Sequence, residues 1–461
     1  MTPRSLSWIA GATGGRVVGV DRVVDAIATD TRALPGGDAL FIALAGERFD
    51  GHAHVRAAIE GGCVAALVAR ELDIDAPQVV VADTALALAA FAGAVQRLRD
   101  TRVLAITGSN GKTSVKALLL AILDQVGGAY ANPGNRNNEI GLPLAVLAAP
   151  DDARFAVYEM GAGKPGDIAY LTAIARPDVA LVNNIAPAHL ERMGSLQGVA
   201  ETKGAIYDAL PVDGVAVVNA DDGFAGYFSG RLHDRHVLRF GIGADADVHA
   251  RDIRVDAGGS RFVLVSPQGE AEVALPMPGR HNVLNALAAA AMAFAVGAEL
   301  AQVRAGLETA RPVAGRLVAH ALRSGAVLVD DSYNANPGSL AAAIDTLAGS
   351  GDEGWLVLGD MRELGPDEVA LHAQAGERAK AAGIARVFTL GDLSAYASRA
   401  FGDGARAFDT HEALAAALAA GLRPGVRVLV KGSRGSAMDR IVKALMQRDA
   451  AENGRGTTDA A

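Results

Sequence analysis

The feature that most constrains the fold is a short apolar run that leads into a glycine-containing turn and then a helical pattern. Residues 103–107 read as a strand, and residues 108–113 (Gly-Ser-Asn-Gly-Lys-Thr) form the turn. Beyond it, apolar residues recur at helical spacing, at Val115, Leu118, Leu119 and Ile122. Backbone N–H groups of such a turn and of the helix N-terminus converge on one anion. We therefore predict a loop that cradles a nucleoside triphosphate, with Lys112 at the terminal phosphates and the Thr113 hydroxyl offered to Mg²⁺.

This turn is a shortened version of the common phosphate-binding loop. The full eight-residue pattern places a glycine five positions before Gly111, where this chain has Ile106. A Gly-Lys-Thr tripeptide also arises by chance, so an ordinary strand-to-helix turn is the alternative. The strand before the turn and the periodic helix after it favour the phosphate loop.

Length and charge limit the class of protein. A chain of 461 residues, half of them hydrophobic, is long enough for two to four domains, each with its own core. Lys and Arg number 43 against 52 Asp and Glu, for a net charge of −9. This balance gives no excess of positive charge that could attract nucleic acid or an anionic membrane. We expect no nucleic-acid partner, and any anionic ligand must be held by local features.

The sequence carries no targeting or membrane signal. The N-terminus lacks an apolar run of signal-peptide length, and the alanine-rich run from Asn285 to Ala298 is too short to span a bilayer. We therefore predict a cytoplasmic protein without a membrane span. Cys63 is the only cysteine, which excludes a disulfide within the chain and a zinc site built from cysteines. We expect it to be buried as a small apolar residue.

Short β-rich runs alternate with helical ones from Val103 onward, which predicts parallel sheets covered by helices. The later β-rich runs are 155–159, 179–183, 215–219, 327–331, 355–359, 386–390 and 426–431. Within residues 248–275 the runs are broken by glycine-containing turns at 258–259 and 267–269. That change predicts an antiparallel patch beside the main sheet.

Two breaks divide the chain, one at the charged segment 97–100 and one at residues 310–312 (Ala-Arg-Pro). We therefore expect an α/β protein of three domains, at residues 1–98, 99–312 and 313–447. The last residues, from about Arg448 to Ala461, lack apolar periodicity, and we predict a flexible tail at 448–461.

Three charged or titratable side chains follow predicted strands or lie on the next helix. Glu159 ends an apolar strand, at the sheet edge where open α/β sheets bind ligands. It is a candidate Mg²⁺ ligand, with capping of the next helix as the alternative. His189 follows the next strand, although an isolated histidine is more often structural. Lys203, taken alone, reads as a solvated helix lysine.

Asparagine-rich clusters occur at three predicted turns, at residues 132–141, 279–285 and 330–337. Asparagine can read amides and purine edges, but it also makes turns, so both interpretations stay open. Near the C-terminus, a strand leads into a basic, glycine-rich turn at residues 431–436. This turn could bind a second anion such as a carboxylate.

Together these segments resemble the Mur ligases, ATP-dependent enzymes that form amide bonds in peptidoglycan precursors. The resemblance runs from about Thr29 to Met446 and is carried mainly by residues 331–337 (Asp-Ser-Tyr-Asn-Ala-Asn-Pro), 358–365 and 431–434. The chain lacks the Asp-Asn-Pro-Arg signature of members that add a diamino acid. Within the family, the combination of these three segments most resembles the branch that adds D-alanyl-D-alanine to UDP-N-acetylmuramoyl-tripeptide.

The resemblance implies an N-terminal domain for the UDP end of the substrate, a central ATP-binding domain with a parallel sheet, and a C-terminal Rossmann-like domain. It also implies an acyl-phosphate route with ATP and two Mg²⁺ ions, and we expect a monomer. One alternative is another Mur-type ligase, such as a tripeptide synthetase or an enzyme like folylpolyglutamate synthase. The other is a nucleotide-binding module without ligase chemistry.

The resemblance assigns roles to individual residues. Those implied to bind ATP are Gly108, Ser109, Asn110, Gly111, Lys112, Thr113, Ser114, Asn282, Asp331, Tyr333, Asn334 and Asn336. The implied metal ligands are Thr113, Glu159, His189 and Lys203, the last as a carbamate. Catalytic roles are implied for Lys112, Glu159, His189, Lys203 and Arg316. Those implied to bind substrate are Thr29, Asp30, Thr31, Arg32, Phe49, Asn135, Asn138, Lys431 and Arg434.

Overall fold

The computed structural model describes residues 1–46, 49–232, 234–243, 245–256 and 258–455. Within these ranges lie three large sheets of five, nine and six strands. They occupy residues 16–80, 102–275 and 318–431, so none of them crosses either break seen in the sequence. We keep 1–98, 99–312 and 313–447 as the proposed domain limits.

The N-terminal region is built on the five-stranded sheet, in the order β2-β9-β8-β5-β4. Its strands, with two short two-stranded pairs, are β1 (Arg4–Ser5), β2 (Arg16–Val18), β3 (Val23–Val24), β4 (Ala26–Ala28), β5 (Ala39–Ile42), β6 (Ala45–Gly46), β7 (Phe49–Asp50), β8 (Ala65–Val68) and β9 (Gln78–Val80). Its helices are α1 (Leu6–Thr13), α2 (Val55–Glu60) and α3 (Thr84–Gln96). Cys63 is buried in this region, as expected.

The central region contains the nine-stranded sheet, in the order β11-β12-β10-β13-β14-β15-β16-β17-β18. The strands are β10 (Arg102–Thr107), β11 (Tyr130–Ala131), β12 (Phe155–Glu159), β13 (Val179–Val182), β14 (Val215–Asn219), β15 (His236–Gly241), β16 (Val248–Asp256), β17 (Gly259–Ser266) and β18 (Gly269–Leu275). The helices are α4 (Lys112–Asp124), α5 (Gly141–Ala148), α6 (Asp167–Ala175), α7 (Leu190–Met193), α8 (Leu196–Asp208), α9 (Ala225–Leu232), α10 (Arg280–Ala295) and α11 (Leu300–Thr309).

The first seven strands of this sheet in spatial order, β11 to β16, pair in parallel, and β16, β17 and β18 pair antiparallel. The predicted antiparallel patch is thus confirmed, and it continues the main sheet through the parallel pairing of β15 with β16. The parallel strands β10, β12, β13 and β14 are almost fully buried because helices cover both faces, which explains their continuous apolar runs. Their carboxyl ends meet at one edge, where ligands bind in open α/β sheets.

The C-terminal region holds the six-stranded sheet, in the order β19-β20-β24-β21-β22-β23, with β19 as an antiparallel edge. The strands are β19 (Val318–Ala321), β20 (Val327–Asp331), β21 (Glu353–Gly359), β22 (Arg386–Leu390), β23 (Ala405–Phe408) and β24 (Val426–Lys431). The helices are α12 (Pro337–Ala348), α13 (Glu368–Ala381), α14 (Ser394–Phe401), α15 (His411–Ala419) and α16 (Asp439–Arg455). Parallel strands with helices on both faces make this region Rossmann-like.

The predicted tail is wrong for its first part, because α16 continues to Arg455. A helix extends at little cost once it has begun, and the added residues include alanines, which favour the helix without any apolar face. The Asp449 carboxylate also accepts a hydrogen bond from the backbone N–H of Arg323 at 2.8 Å, which ties this end to the β19–β20 connection. Residues 456–461 of the predicted tail lie outside the described residues. Among the helices that are described, none is both long and apolar enough to cross a bilayer.

Candidate active site between the central and C-terminal sheets

The predicted phosphate loop joins β10 to α4 and has a fixed shape. Gly111 has a φ of 79°, and a Cβ atom there would lie 2.4 Å from the Asn285 side-chain oxygen. Only glycine fits this position. The Asn110 backbone N–H donates to Asn184 Oδ1 at 2.8 Å, and Lys112 Nζ donates to the Gly108 carbonyl at 2.7 Å. The loop is therefore held by the segment after β13, with the free amides of the first turn of α4 beside it.

Glu159 ends β12 beside this loop, and its carboxylate is almost completely buried. Oε2 accepts a hydrogen bond from Thr113 Oγ1 at 2.9 Å, and Oε1 accepts one from Asn137 Nδ2 at 2.9 Å. Burial opposes ionisation, but Lys112 and Lys116, together with these two donors, outweigh it and lower the pKa of Glu159. An ionised carboxylate and a hydroxyl thus lie together at the phosphate loop.

Two side chains of the C-terminal region reach the loop directly. Arg316 Nη2 donates to Thr113 Oγ1 at 3.0 Å, and the guanidinium carbon lies 4.5 Å from the centroid of the Tyr333 ring. Asn336 Nδ2 donates to Asn110 Oδ1 at 2.7 Å. The loop after β10 therefore forms one site with residues more than two hundred positions away in sequence.

The opposite wall of the site is formed by the start of α10 and the end of β20. Asn282 Nδ2 donates to the Pro278 carbonyl at 2.8 Å, close to the Asn285 amide. Lys431 Nζ donates to Asp331 Oδ2 at 2.6 Å and to the Asn334 carbonyl at 3.0 Å. Burial raises the pKa of Asp331, although Lys431 acts against the shift. In this structure Lys431 is therefore a partner of Asp331 rather than a free cation.

His189 and Lys203 differ in their surroundings. The His189 side chain is 40% exposed, and its Nδ1 contacts the Glu363 carboxylate of the C-terminal region. Lys203 is buried on α8, and burial lowers its pKa well below its usual range, with Lys112 adding to the shift. No group of three or more His, Cys, Asp and Glu side chains suited to a metal occurs among the described residues. A Mg²⁺ ion needs only one or two protein carboxylates, because phosphate oxygens and water complete its coordination shell.

These elements enclose a cavity of about 600 Å³, a size typical of small-ligand sites. It brings together most of the residues predicted to bind ATP and three predicted to bind substrate. The predicted residues that line it are Ser109, Asn110, Gly111, Lys112, Thr113, Ser114, Asn135, Asn138, Glu159, His189, Asn282, Arg316, Asp331, Tyr333, Asn334, Asn336 and Lys431. Gly108, Lys203 and Arg434 are absent from the lining. Arg434 lies just outside, with its guanidinium carbon 5.8 Å from the Tyr333 ring centroid.

The predicted uridine-binding residues lie apart from the cavity, on the surface of the N-terminal region. Arg32 forms an ion pair with Asp30 at 2.6 Å, and 88% of the Arg32 side chain is exposed. The hydrogen bonds from Arg32 lower the pKa of Asp30 to about 2. Phe49 is exposed, and Thr29 and Thr31 flank Asp30. This set forms an open surface with charge and one aromatic ring.

Three polar residues at the site were missed from the sequence, and two of them, Lys116 and Asn183, are buried. Lys116 lies 3.4 Å from Glu159 Oε2, Asn137 donates to the same carboxylate, and Asn183 Nδ2 donates to Asn285 Oδ1 at 3.0 Å. Asn137 falls inside the asparagine cluster that the sequence did reveal. A signal for Lys116 was also present, because it lies four residues after Lys112 and so on the same side of α4.

The fold and the cavity define an α/β nucleotide-binding protein whose phosphate loop is completed by a second, Rossmann-like sheet. Residues 106–293 match the Mur ligase middle domain, and residues 315–434 match the family described as Mur ligase, glutamate ligase domain. The chain is 45% identical over 445 residues to the UDP-N-acetylmuramoyl-tripeptide–D-alanyl-D-alanine ligase of Escherichia coli, covering 96% of this chain and 98% of that relative. The chain belongs to the Mur ligase family.

Two solved structures extend the similarity to the whole fold. MurF from Acinetobacter baumannii superposes with a TM-score of 0.92 at 33% identity, covering 97% of this chain and 99% of the other. The MurF ligase from Thermotoga maritima, in complex with ADP, superposes with a TM-score of 0.84 at 27% identity, covering 93% and 99% of the two chains. The predicted three-domain Mur ligase architecture is confirmed by these matches.

Proposed function

We propose that this protein is an ATP-dependent ligase that joins D-alanyl-D-alanine to UDP-N-acetylmuramoyl-tripeptide. The products are the UDP-muramoyl-pentapeptide precursor of peptidoglycan, ADP and phosphate. The observation that carries the proposal is the similarity to ligases of this activity along nearly the entire chain. A related ligase for another amino acid, or a folate-type ligase, is less favoured because the whole-length match at 45% identity is to the dipeptide-adding enzyme.

The cavity supports an acyl-phosphate route. A free carboxylate is a poor acyl donor, so an oxygen of the tripeptide carboxylate attacks the γ-phosphorus of ATP, and ADP leaves. The amine of the dipeptide then attacks the carbonyl carbon, loses a proton and expels phosphate. Lys112 and Arg316 lie at the loop where charge on the transferring phosphoryl group would need to be neutralised. Closure of the C-terminal region over the central region would exclude water that could hydrolyse the intermediate.

The residues at the end of β12 fit a Mg²⁺ ion. Thr113 Oγ1 and Glu159 Oε2 lie 2.9 Å apart, and Mg²⁺ takes one or two carboxylates together with phosphate oxygens and water. When bound there, the ion would withdraw negative charge from the phosphate oxygens. Glu159 is kept ionised by its lysine and hydrogen-bond partners, and so it is ready to act as a ligand. Asn282 and Asp331 are the proposed adenine and ribose contacts of the same nucleotide.

A second Mg²⁺ is proposed near His189, with Lys203 as a carbamate ligand. Burial lowers the pKa of Lys203 well below its usual range, which favours the neutral amine, whose lone pair attacks carbon dioxide with loss of a proton. The carbamate replaces a cation by an anionic oxygen ligand. Native intact mass should reveal one carbamate that is lost in acid, and short carboxylates should rescue Lys203→Ala. Failure of both tests would remove Lys203 from the site.

The N-terminal surface around Asp30, Arg32 and Phe49 is the proposed site of the UDP end. Asn135 and Asn138 are proposed to hold the tripeptide end, and Arg434 the dipeptide. We further propose a cytoplasmic monomer, since both substrates are water-soluble small molecules and the cavity is formed within one chain.

A product-mass assay tests the proposed function. Purified protein is mixed with ATP, Mg²⁺ and matched pairs of UDP-muramoyl peptides and amino-acid or dipeptide acceptors. The proposal predicts a pentapeptide product only when UDP-muramoyl-tripeptide and D-alanyl-D-alanine are both present. Product formation with a single amino acid, or rapid ATP turnover without the dipeptide, would contradict it.

A further inference from the structure

The lysine that follows the phosphate loop by one helical turn is assigned no contact with ATP or with either substrate in the mechanism above. Lys116 lies on α4 four residues after Lys112, and only 6% of its surface is exposed. Burying an ammonium group costs free energy unless its N–H donors are hydrogen-bonded, so the partners of Lys116 indicate which contacts this lysine stabilises.

The partners of Lys116 all lie outside its own helix. Nζ donates to the Asn132 carbonyl at 3.0 Å and to the Gly134 carbonyl at 3.2 Å, and Glu159 Oε2 lies 3.4 Å away. An ammonium group has three N–H donors, and here three acceptors surround it. Two of the three belong to residues 132–138, which we call the asparagine loop.

The far end of the asparagine loop is attached to the same strand end. Asn137 Nδ2 donates to Glu159 Oε1, and the Gly161 backbone N–H donates to the Asn137 carbonyl at 2.8 Å. Asn132 exchanges hydrogen bonds with the backbone of Glu159, at 2.9 Å and 3.0 Å. The loop is thus fixed to β12 directly and to α4 through Lys116 alone among these contacts. Its side chains Asn135, Asn137 and Asn138 line the cavity.

We propose that Lys116 is a positioning residue that fixes the asparagine loop to the nucleotide helix, so that the tripeptide carboxylate meets the γ-phosphate in register. Lys112 lies at the phosphate loop. Lys116 lies one turn later on the same side of α4 and holds the loop that is proposed to bind the tripeptide. The ionised Glu159 balances the buried charge of Lys116. The inference rests on the proposed function, in which the asparagine loop holds the tripeptide end.

The variant Lys116→Met keeps the length of the side chain and removes its charge and donors. We expect the KM for UDP-muramoyl-tripeptide to rise about 10- to 100-fold, the range for losing hydrogen bonds from a charged group. The KM for ATP and the Kd for ADP should stay unchanged. Hydrogen exchange of the amides in residues 132–138 should accelerate, while that of α10 should not. Lys116→Arg, which keeps the charge, should recover part of the KM effect.

Lys443→Met is the matched control, because Lys443 is an exposed helix lysine that, among the described residues, pairs with Asp439 alone. It should leave every parameter unchanged. Equal rises in the KM for ATP and for the tripeptide, or unchanged exchange in residues 132–138, would overturn the proposal. If Lys116→Met does not fold, Lys116→Gln is measured in the same way. If neither folds, Lys116 is a folding determinant and the proposal is also overturned.

The proposed function can fail independently of this inference. The product mass of the wild-type protein reports on the function, whereas ADP binding and hydrogen exchange report on the attachment of the loop without any turnover. A wild-type protein that makes no pentapeptide, together with faster loop exchange in Lys116→Met, would remove the function but keep the attachment.

Discussion

The nucleotide cavity and the N-terminal surface both carry charged side chains proposed to bind phosphate groups, but they hold them differently. In the cavity, Glu159 and Lys116 are buried and each has several fixed partners. On the N-terminal surface, Arg32 is exposed and pairs with Asp30. The first region is organised before substrate arrives, whereas the second must order its side chains on binding.

The same contrast appears in the causes of the pKa shifts. In the cavity, burial is the largest influence on Lys112, Glu159 and Asp331. On the surface, the hydrogen bond from Arg32 is the largest influence on Asp30. Buried groups depend on one another, so removal of one leaves a partner uncompensated, while an exposed group loses only its own contacts. Loss of the proposed metal ligand Glu159 should therefore alter turnover, and surface variants should alter substrate affinity.

The largest effect is expected for Glu159→Gln, which removes the charge but keeps the shape. The rate of ligation should fall about 10²- to 10³-fold, because a metal ligand contributes several kcal/mol of charge stabilisation. Initial rates over a Mg²⁺ series measure it, and the half-saturating Mg²⁺ concentration should rise. Glu377→Gln, at an exposed position on α13, is the control. A wild-type rate and Mg²⁺ requirement in Glu159→Gln would break the contrast between the regions.

A smaller effect is expected for Arg32→Ala. The KM for UDP-muramoyl-tripeptide should rise about 2- to 10-fold with kcat unchanged, as expected when an exposed hydrogen-bonding group gives uniform binding. Arg16→Ala is a matched control, since Arg16 also forms an exposed ion pair on the N-terminal sheet, with Glu71. Steady-state kinetics distinguish the two variants. A fall in kcat without a change in KM would show that Arg32 does not belong to a substrate-affinity surface.

The smallest effect concerns stability. Burial, followed by the charge of Lys431, lowers the pKa of His281 to about 4. Between that value and the unfolded value of about 6.5, the unfolded chain binds the proton and the folded chain does not. The stability present above pH 6.5 is therefore lost progressively as the pH falls toward 4. Between pH 7 and pH 5, the Tm of the wild type should drop more than the Tm of His281→Gln. Equal drops would show that His281 does not cause the loss of stability at low pH.

Local patterns in the sequence predicted the parts of the site that depend on one strand, one turn and one helix. The phosphate loop and the position of Glu159 at a strand end are of this kind. The contacts of Arg316 with Thr113 and of Asn336 with Asn110 join distant segments. Periodicity carries no information on such distances, so only the resemblance to Mur ligases suggested them.

At two positions the structure differs from what the local polarity of the sequence suggests. Lys116 looks like a solvent-facing helix residue, and its burial follows from the packing of the asparagine loop against α4. Arg448 looks like the start of a tail because apolar periodicity ends there, yet α16 continues to Arg455. Apolar periodicity reports which face of a helix is covered, and it reports neither polar burial nor the point at which an exposed helix stops.

The central claim is that two regions meet around one triphosphate so that a carboxyl group is activated and passed to a dipeptide. Tripeptide substrate labelled with oxygen-18 in its terminal carboxylate tests this directly. The acyl-phosphate route moves one carboxylate oxygen into each phosphate released, so mass spectrometry should find the phosphate carrying a single labelled oxygen in proportion to pentapeptide formed. Unlabelled phosphate, released at the same rate as product, would contradict the account.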